Sequence, residues 1–413
     1  MRLLNISALL LTFAGLAFSQ TLALKPGDRV VFYGDSITDQ RLYTTFAESY
    51  FVTRFPTMPL TFTHSGWGGD RVSGGGGGNA DTRLDRDVFP YKPTVVTIML
   101  GMNDGAYKAL DQPLFEKFQA GYRHIVEAIK KNDPATRIVA IQPSAYDDVT
   151  REFKVEGGYN ATLVRYSAFL KDLAASDRLG LADLNGPVVE MLKKANAANP
   201  TEAQKIIPDR VHPGPAGHIV MAAALLKAWN APALVTDVDI DAAATGATAK
   251  NAKISNFEKA AALSWDQLDA ALPMPIDPND KLLNFAVDSS DLIDTLDQEM
   301  LRVRNLSAAK LELRIDGAAV ATFTKEQLEA GVNLARLNTP MLKQALTVHQ
   351  LTVQRATAHN IRWRQVQVPM TAEAEKNKTA AMGALDGLDR QLARLQRDAA
   401  QPREHHYELR AVN

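Results

Sequence analysis

VVFYGDSITDQ, residues 30–40, is an apolar and aromatic run that stops abruptly at Gly34-Asp35-Ser36. Val30 to Tyr33 are β-branched or aromatic and read as a buried strand. A strand that finishes on a small residue, an acid and a hydroxyl has two readings. In one, Ser36 starts a helix, because Ser36-Ile37-Thr38-Asp39 fits a capping box. In the other, Ser36 is a nucleophile held at the tip of the strand.

The segments that follow set the fold class. RLYTTFAESYFVTR, 41–54, has apolar positions at helical spacing, and Leu60 to Thr63 is a short strand. PTVVTIML, 93–100, is a continuous apolar run of the kind found in strands covered on both faces. Residues 113–130 read as an amphipathic helix that ends before Asn132-Asp133-Pro134. Arg137 to Ile141 is another buried strand, 160–175 a helix and Gly180 to Asp183 a short strand. Pro215 to Trp229 is an alanine-rich helix with proline in its first turn. Strands alternating with helices imply βαβ units and a mostly parallel sheet with helices on both faces, an α/β fold. In such sheets ligands bind beyond the carboxyl ends of the strands. The glycine run Gly74 to Gly78 lies inside this region as a connector or a flap.

The pattern changes after Val235. DVDIDAAATGATAKNA, 237–252, is small, polar and alanine-rich, and 236–250 reads as a linker. Beyond it, 251–413 reads as a C-terminal α+β domain ending in a long helix over 372–399. Leu385, Leu388, Leu392 and Leu395 form its apolar stripe, and LELRIDGAAVATF is hairpin-like, turning at Asp316-Gly317. His405-His406 reads as part of a solvated tail.

The whole chain has 413 residues, enough for two domains. It is 46% hydrophobic and 23% charged, as expected of a globular protein with a real core. Lysine plus arginine number 46 against 47 aspartates and glutamates, a net charge of −1. No overall field attracts nucleic acid or an anionic membrane. The absence of cysteine excludes disulfides, thiolate metal sites and a cysteine nucleophile. Residues 1–20 read as a secretory signal, with Arg2, an apolar middle and Ala17-Phe18-Ser19 before the cleavage point. The organisation expected is therefore a signal at 1–20, an α/β domain over 21–235, the linker and the C-terminal domain. The mature protein is expected in the periplasm or secreted, without stable membrane insertion, and its oligomeric state is left open.

Chemistry-bearing residues recur where strands end. The first strand ends in Gly34-Asp35-Ser36, the second in His64-Ser65-Gly66-Trp67-Gly68-Gly69-Asp70 and the third in Gly101-Met102-Asn103-Asp104. Asp209-Arg210-Val211-His212-Pro213 precedes the last helix of this region. A serine hydroxyl needs a base, a histidine can serve near neutral pH, and a carboxylate can hold the histidine's other nitrogen. Asp209 and His212 can supply that pair from one loop. The backbone N–H of Ser36, that of a glycine after the second strand and the Asn103 side chain can hold an oxyanion.

In this order and spacing, GDSITD, GWGGD, GMND and DRVHP resemble the four blocks of the GDSL/SGNH hydrolase family. The resemblance covers about 30–230. It implies a three-layer α/β/α, flavodoxin-like domain, with Ser36, Asp209 and His212 as catalytic triad and Ser36, Gly69 and Asn103 as oxyanion hole. His64 stands where the family often carries asparagine. This leaves Gly66 as the alternative to Gly69, which is preferred because it precedes Asp70. Asp35, Trp67 and Tyr107 are candidate substrate contacts. No GxSxG elbow is present, which disfavours the α/β-hydrolase fold. The implied activity is hydrolysis of a carboxylic ester through an acyl-enzyme, with a carbohydrate-linked acetyl ester as the leading substrate and no cofactor or metal. A lipid or lysophospholipid ester is the alternative. A reading of another class is a carbohydrate-binding or scaffolding protein with a vestigial hydrolase fold.

Overall fold

The computed structural model describes residues 22–244, 246–260, 262–371 and 374–412. The expected signal at 1–20 lies outside them. Among the described residues no helix is long and apolar enough to cross a membrane.

The first half contains β1 (Arg29–Gly34), α1 (Ser36–Asp39), α2 (Leu42–Arg54), β2 (Thr61–Gly66), β3 (Gly74–Gly75), β4 (Gly78–Asn79) and α3 (Ala80–Asp87). It continues with β5 (Val95–Met99), α4 (Gln112–Asn132), β6 (Arg137–Ile141), α5 (Tyr159–Asp177), β7 (Gly180–Ala182), α6 (Gly186–Ala198), α7 (Pro200–Ile206) and α8 (Pro215–Ala228). The main sheet has the order β2-β1-β5-β6-β7, and every neighbouring pair is parallel. Side chains alternate along β1. Val30 and Phe32 enter the core shared with α2, α6 and α8, whereas Val31 and Tyr33 enter the one shared with α3 and α4. Burial on both faces explains why these strands are apolar without a break. The strand order reverses at β1, so the carboxyl ends of β1 and β5 border the crevice where such sheets bind ligands.

The second half departs from expectation at both ends. It runs through β8 (Leu234–Asp241), β9 (Ala247–Lys250), β10 (Ala252–Lys259), β11 (Leu263–Asp269), α9 (Lys281–Asp288), α10 (Leu292–Leu296), β12 (Gln298–Arg304), β13 (Lys310–Ile315), β14 (Ala318–Thr324), α11 (Lys325–Ala330) and β15 (Val332–Asn333). It then continues through α12 (Pro340–Asn360), a π-helical segment (Ile361–Gln367), α13 (Glu375–Ala400) and β16 (Glu404–Ala411). The stretch 236–250, expected as a linker, is largely paired strand. β8 lies between β9 and β12 in a four-stranded sheet because Val238 and Ile240 face the core while the aspartates between them face outward. The chain does not end in the long helix either. After α13, β16 inserts between β11 and β13 in an antiparallel five-stranded sheet. His405 and His406 are therefore strand residues, with Nδ1 of each bonded at 2.7 Å to Asp316 and Asp266 respectively. The expected hairpin joins β13 to β14, and Asp316 and Gly317 both turn through positive φ.

The halves are stitched by buried polar groups. Arg54 of α2 donates to the carbonyls of Pro232, Ala233, Leu234 and Leu296 and to Asp297. Glu48 of α2 accepts from Arg355 of α12 at 2.8 Å and from Gln396 of α13 at 3.1 Å. His64 joins the same seam, bonded to Thr44 and Glu48, so it is a buried structural histidine.

Candidate active site

The turn from β1 into α1 is tight for steric reasons. A Cβ on Gly34 would meet Thr38 Oγ1 at 2.3 Å, and one on Gly66, at the end of β2, would meet Asp39 N at 2.2 Å. Strand ends and helix approach closely only because both positions lack a side chain. Asp35 caps α1 by accepting from Ile37 N at 3.0 Å, while Ser36 occupies the first helical position. The cap is therefore Asp35 and not Ser36, and the serine hydroxyl is left free to face outward. Asp35 is 1% exposed, so this candidate substrate contact is instead a buried support.

The Ser36 hydroxyl lies 2.8 Å from His212 Nε2, and His212 Nδ1 lies 2.7 Å from Asp209 Oδ2. A carboxylate only accepts, so Nδ1 carries the proton and Nε2 is left to accept from Ser36. Asp209 Oδ1 also accepts the N–H groups of Val211 and His212 at 2.9 and 2.8 Å, which folds the loop around the acid. Burial works to raise the Asp209 pKa, but these hydrogen bonds outweigh it and hold the carboxyl below its usual value. Arg210 takes a positive φ of 75° in this loop. Its carbonyl accepts from Asp147 N and its guanidinium donates to Glu152 O. A second support comes from His218. Tyr43 N donates to its Nδ1, its Nε2 then donates to Gln40 Oε1, and Gln40 Nε2 donates to the Pro213 carbonyl. Burial lowers the His218 pKa to about 3, so the ring stays neutral.

The remaining candidates line the ends of β2 and β5. Gly69 sits in the turn from Trp67 to Asp70 with φ 79°, where an added Cβ would touch nothing but the backbone would be strained. Among the described residues, the amides of Ser36 and Gly69 donate to no protein acceptor. Asn103 Nδ2 gives one hydrogen to Asp70 O at 3.0 Å, and its Oδ1 accepts from Tyr107 OH at 3.0 Å. Tyr107 is exposed and therefore available to a substrate. Trp67 is only partly exposed, because its ring is covered by Arg364 at 3.5 Å and abutted by Gly77 of the glycine segment, which forms the β3–β4 hairpin. Two buried acids lie behind the rim. Burial lifts Asp35 to about 7 and Asp104 to about 6.

Sequence reasoning missed the contribution of the C-terminal half. The π-helical segment reaches back to this rim. Trp363 is fully buried there and donates to Asp87 at 2.6 Å. Arg83, itself fully buried, pairs with Asp70 and Asp87 beside the Tyr33, Trp67 and Trp363 rings. Arg364 bonds Asp39 at 3.1 Å. No local pattern in IRWRQVQ, 361–367, marks it as part of a site in the other half.

Known proteins agree with this architecture. Residues 32–220 match the GDSL-like lipase/acylhydrolase family. An acetylxylan esterase of Geobacillus stearothermophilus is 23% identical over 223 residues, spanning 49% of this chain and 93% of that protein. A solved structure of a gut microbial diltiazem-metabolizing enzyme is 27% identical with a TM-score of 0.82, spanning 95% of this chain and 100% of that one. The second similarity includes the C-terminal half. Residues 32–220 accordingly belong to the GDSL-like lipase/acylhydrolase family, and the chain is a carboxylic ester hydrolase.

Proposed function

We propose that the chain is an exported serine esterase that removes acetyl groups from carbohydrate through an acyl-enzyme. The observation that carries this reading is the unbroken relay from Asp209 through His212 to Ser36, at 2.7 and 2.8 Å, beside two backbone amides that are unused among the described residues. Ser36 Oγ attacks the ester carbonyl carbon while His212 Nε2 takes its proton. The carbonyl oxygen becomes an oxyanion that accepts from Ser36 N–H, Gly69 N–H and the second hydrogen of Asn103 Nδ2. One such donor is worth about 3–4 kcal/mol in the transition state. The tetrahedral intermediate collapses, its bond to the alcohol oxygen breaks, the alcohol leaves with the proton from His212, and an acetyl group stays on Ser36 Oγ. Water then loses a proton to His212, attacks the acyl carbon and releases the acid, returning the proton to Ser36.

The lining of the cleft at Ser36 supports a hydrophilic substrate over a lipid. Besides Ser36 it is formed by Asp39, Gln40, Arg41, Asn360, Arg364 and Gln365, all polar or charged. Nothing in it would gain by burying an acyl chain of many carbons. The similarity to an acetylxylan esterase supports acetyl and a xylan-type carrier. The leader-like residues 1–20 support export. Hydrolysis of p-nitrophenyl acetate, butyrate and octanoate by the wild type and Ser36→Ala tests the reading. Activity that falls with chain length and vanishes in the variant is expected. Equal turnover by the two proteins would remove Ser36 from the chemistry, and a preference for octanoate would favour the lipid alternative.

A further inference from the structure

The cleft beside Ser36 is built by both halves of the chain and carries more positive charge than its own packing needs. Asp39 is the acid on its wall. Its Oδ2 accepts from Arg364 at 3.1 Å and from Gly68 N at 3.2 Å, and its Oδ1 faces Arg41 at 3.4 Å. A single guanidinium would neutralise this carboxylate. Two guanidiniums against one carboxylate leave one positive charge facing the cleft.

Both cations are held in place rather than loose. Arg41 takes a left-handed φ of 61° at the start of α2, and its Nη1 donates to the Asp39 carbonyl at 2.6 Å. The Arg364 guanidinium lies 3.5 Å from the centre of the Trp67 ring, and the π-helical segment that carries it is anchored by buried Trp363. The side chains remain 27% and 24% exposed, so a solute in the cleft can reach them. A planar fork fixed by stacking loses little freedom when it binds, and it matches the two oxygens of a carboxylate. π-Helical turns are rare and are frequently found at functional sites.

We propose that Arg41 and Arg364 form a carboxylate-binding subsite beside Ser36, so that the enzyme prefers acyl esters whose alcohol part carries an acidic group, such as a uronate-bearing sugar. The proposal rests on the reading of Ser36 as the nucleophile. It also gives the C-terminal half a direct part in substrate choice.

The test compares 4-acetoxybenzoate with its neutral isostere 4-acetoxybenzamide, reading the ratio of their kcat/KM values. In the wild type the ratio should favour the carboxylate, and the advantage should shrink as sodium chloride is raised. Arg364→Gln and Arg41→Gln should each lower the ratio about five-fold, chiefly through KM, as expected for loss of one partly exposed ion pair. Arg364→Lys should retain most of it. An unchanged ratio in both glutamine variants, or no salt dependence in the wild type, overturns the proposal. If Arg364→Gln does not fold, Arg41→Gln and the salt series decide. Absence of turnover of both esters by the wild type would instead sink the esterase reading. The subsite would then be judged by calorimetric binding of 4-acetoxybenzoate to Ser36→Ala, and no preference over the amide would refute it.

Discussion

Replacing Asp209 by asparagine separates what the acid does for the histidine from what it does for the loop. Asparagine keeps an oxygen that can accept the Val211 and His212 amides, now bound at 2.9 and 2.8 Å, so the loop should hold. Toward His212 Nδ1, now 2.7 Å from Oδ2, it presents an N–H group instead of an acceptor. The ring must then carry its proton on Nε2, where it cannot accept from Ser36. The imidazolium formed in the transition state also loses its counter-charge. That attraction is about 1 kcal/mol in water and about 4 kcal/mol near a protein surface. The Asp209 side chain is 54% exposed, so a value of about 3–4 kcal/mol, including the tautomer change, is appropriate. At 1.36 kcal/mol per decade this is a loss of about 200- to 1,000-fold in kcat. The assay is steady-state hydrolysis of p-nitrophenyl acetate, with KM and the urea midpoint measured alongside. KM should change less than about three-fold and the midpoint very little, since no buried contact is lost. A kcat loss below ten-fold in a folded variant would refute the argument that His212 acts as the base through Asp209.

Other substitutions probe the supports. Gly69→Ala should cost about 1 kcal/mol of stability through its positive φ and lower kcat about ten-fold, while Gly66→Ala, which would clash with Asp39 N at 2.2 Å, should lose more stability. The opposite ranking in urea melts would contradict the steric argument. Trp363→Ala empties a fully buried site and removes a bond to Asp87, so urea denaturation should show a loss of about 3–5 kcal/mol. Glu299 has both carboxyl oxygens buried and unpartnered among the described residues, and burial, with the Asp269 and Asp297 charges, raises its pKa well above the usual range. The folded state therefore holds this proton after the unfolded state, with a carboxyl pKa of about 4, has released it. The resulting cost is absent below that pH and grows as pH rises toward the raised folded value. Glu299→Gln should consequently gain thermal stability relative to the wild type between pH 4 and 8, and a Tm difference that is flat with pH would count against a buried proton there.

Several features were legible in the sequence because their causes are local. A strand buried on both faces is apolar throughout, so β1, β5 and β6 could be read from a few residues each. A turn from strand into helix needs Gly34, and the Asp209 loop holds its acid and histidine three residues apart. The order of these motifs along an α/β chain then pointed to one rim. Strands β8 and β16 were missed for an equally local reason. Within the stretch 236–250, β8 offers just Val238 and Ile240 as inward apolar residues among aspartates, and β16 places His405 in the inward row with Tyr407 and Leu409.

What only the tertiary structure decided is how distant segments meet. Ser36 and His212 are 176 residues apart, yet their side chains lie within hydrogen-bond distance. Arg364 is 325 residues from Asp39, and nothing near either residue encodes the meeting. It follows from α12 packing on α2 through Glu48 and Arg355, which places the next turn of chain over Trp67. The sequence determined by itself which residues can do chemistry. The packing of the two halves decided which charges face the cleft beside Ser36, because burial and proximity belong to the folded chain as a whole and not to any short stretch of it.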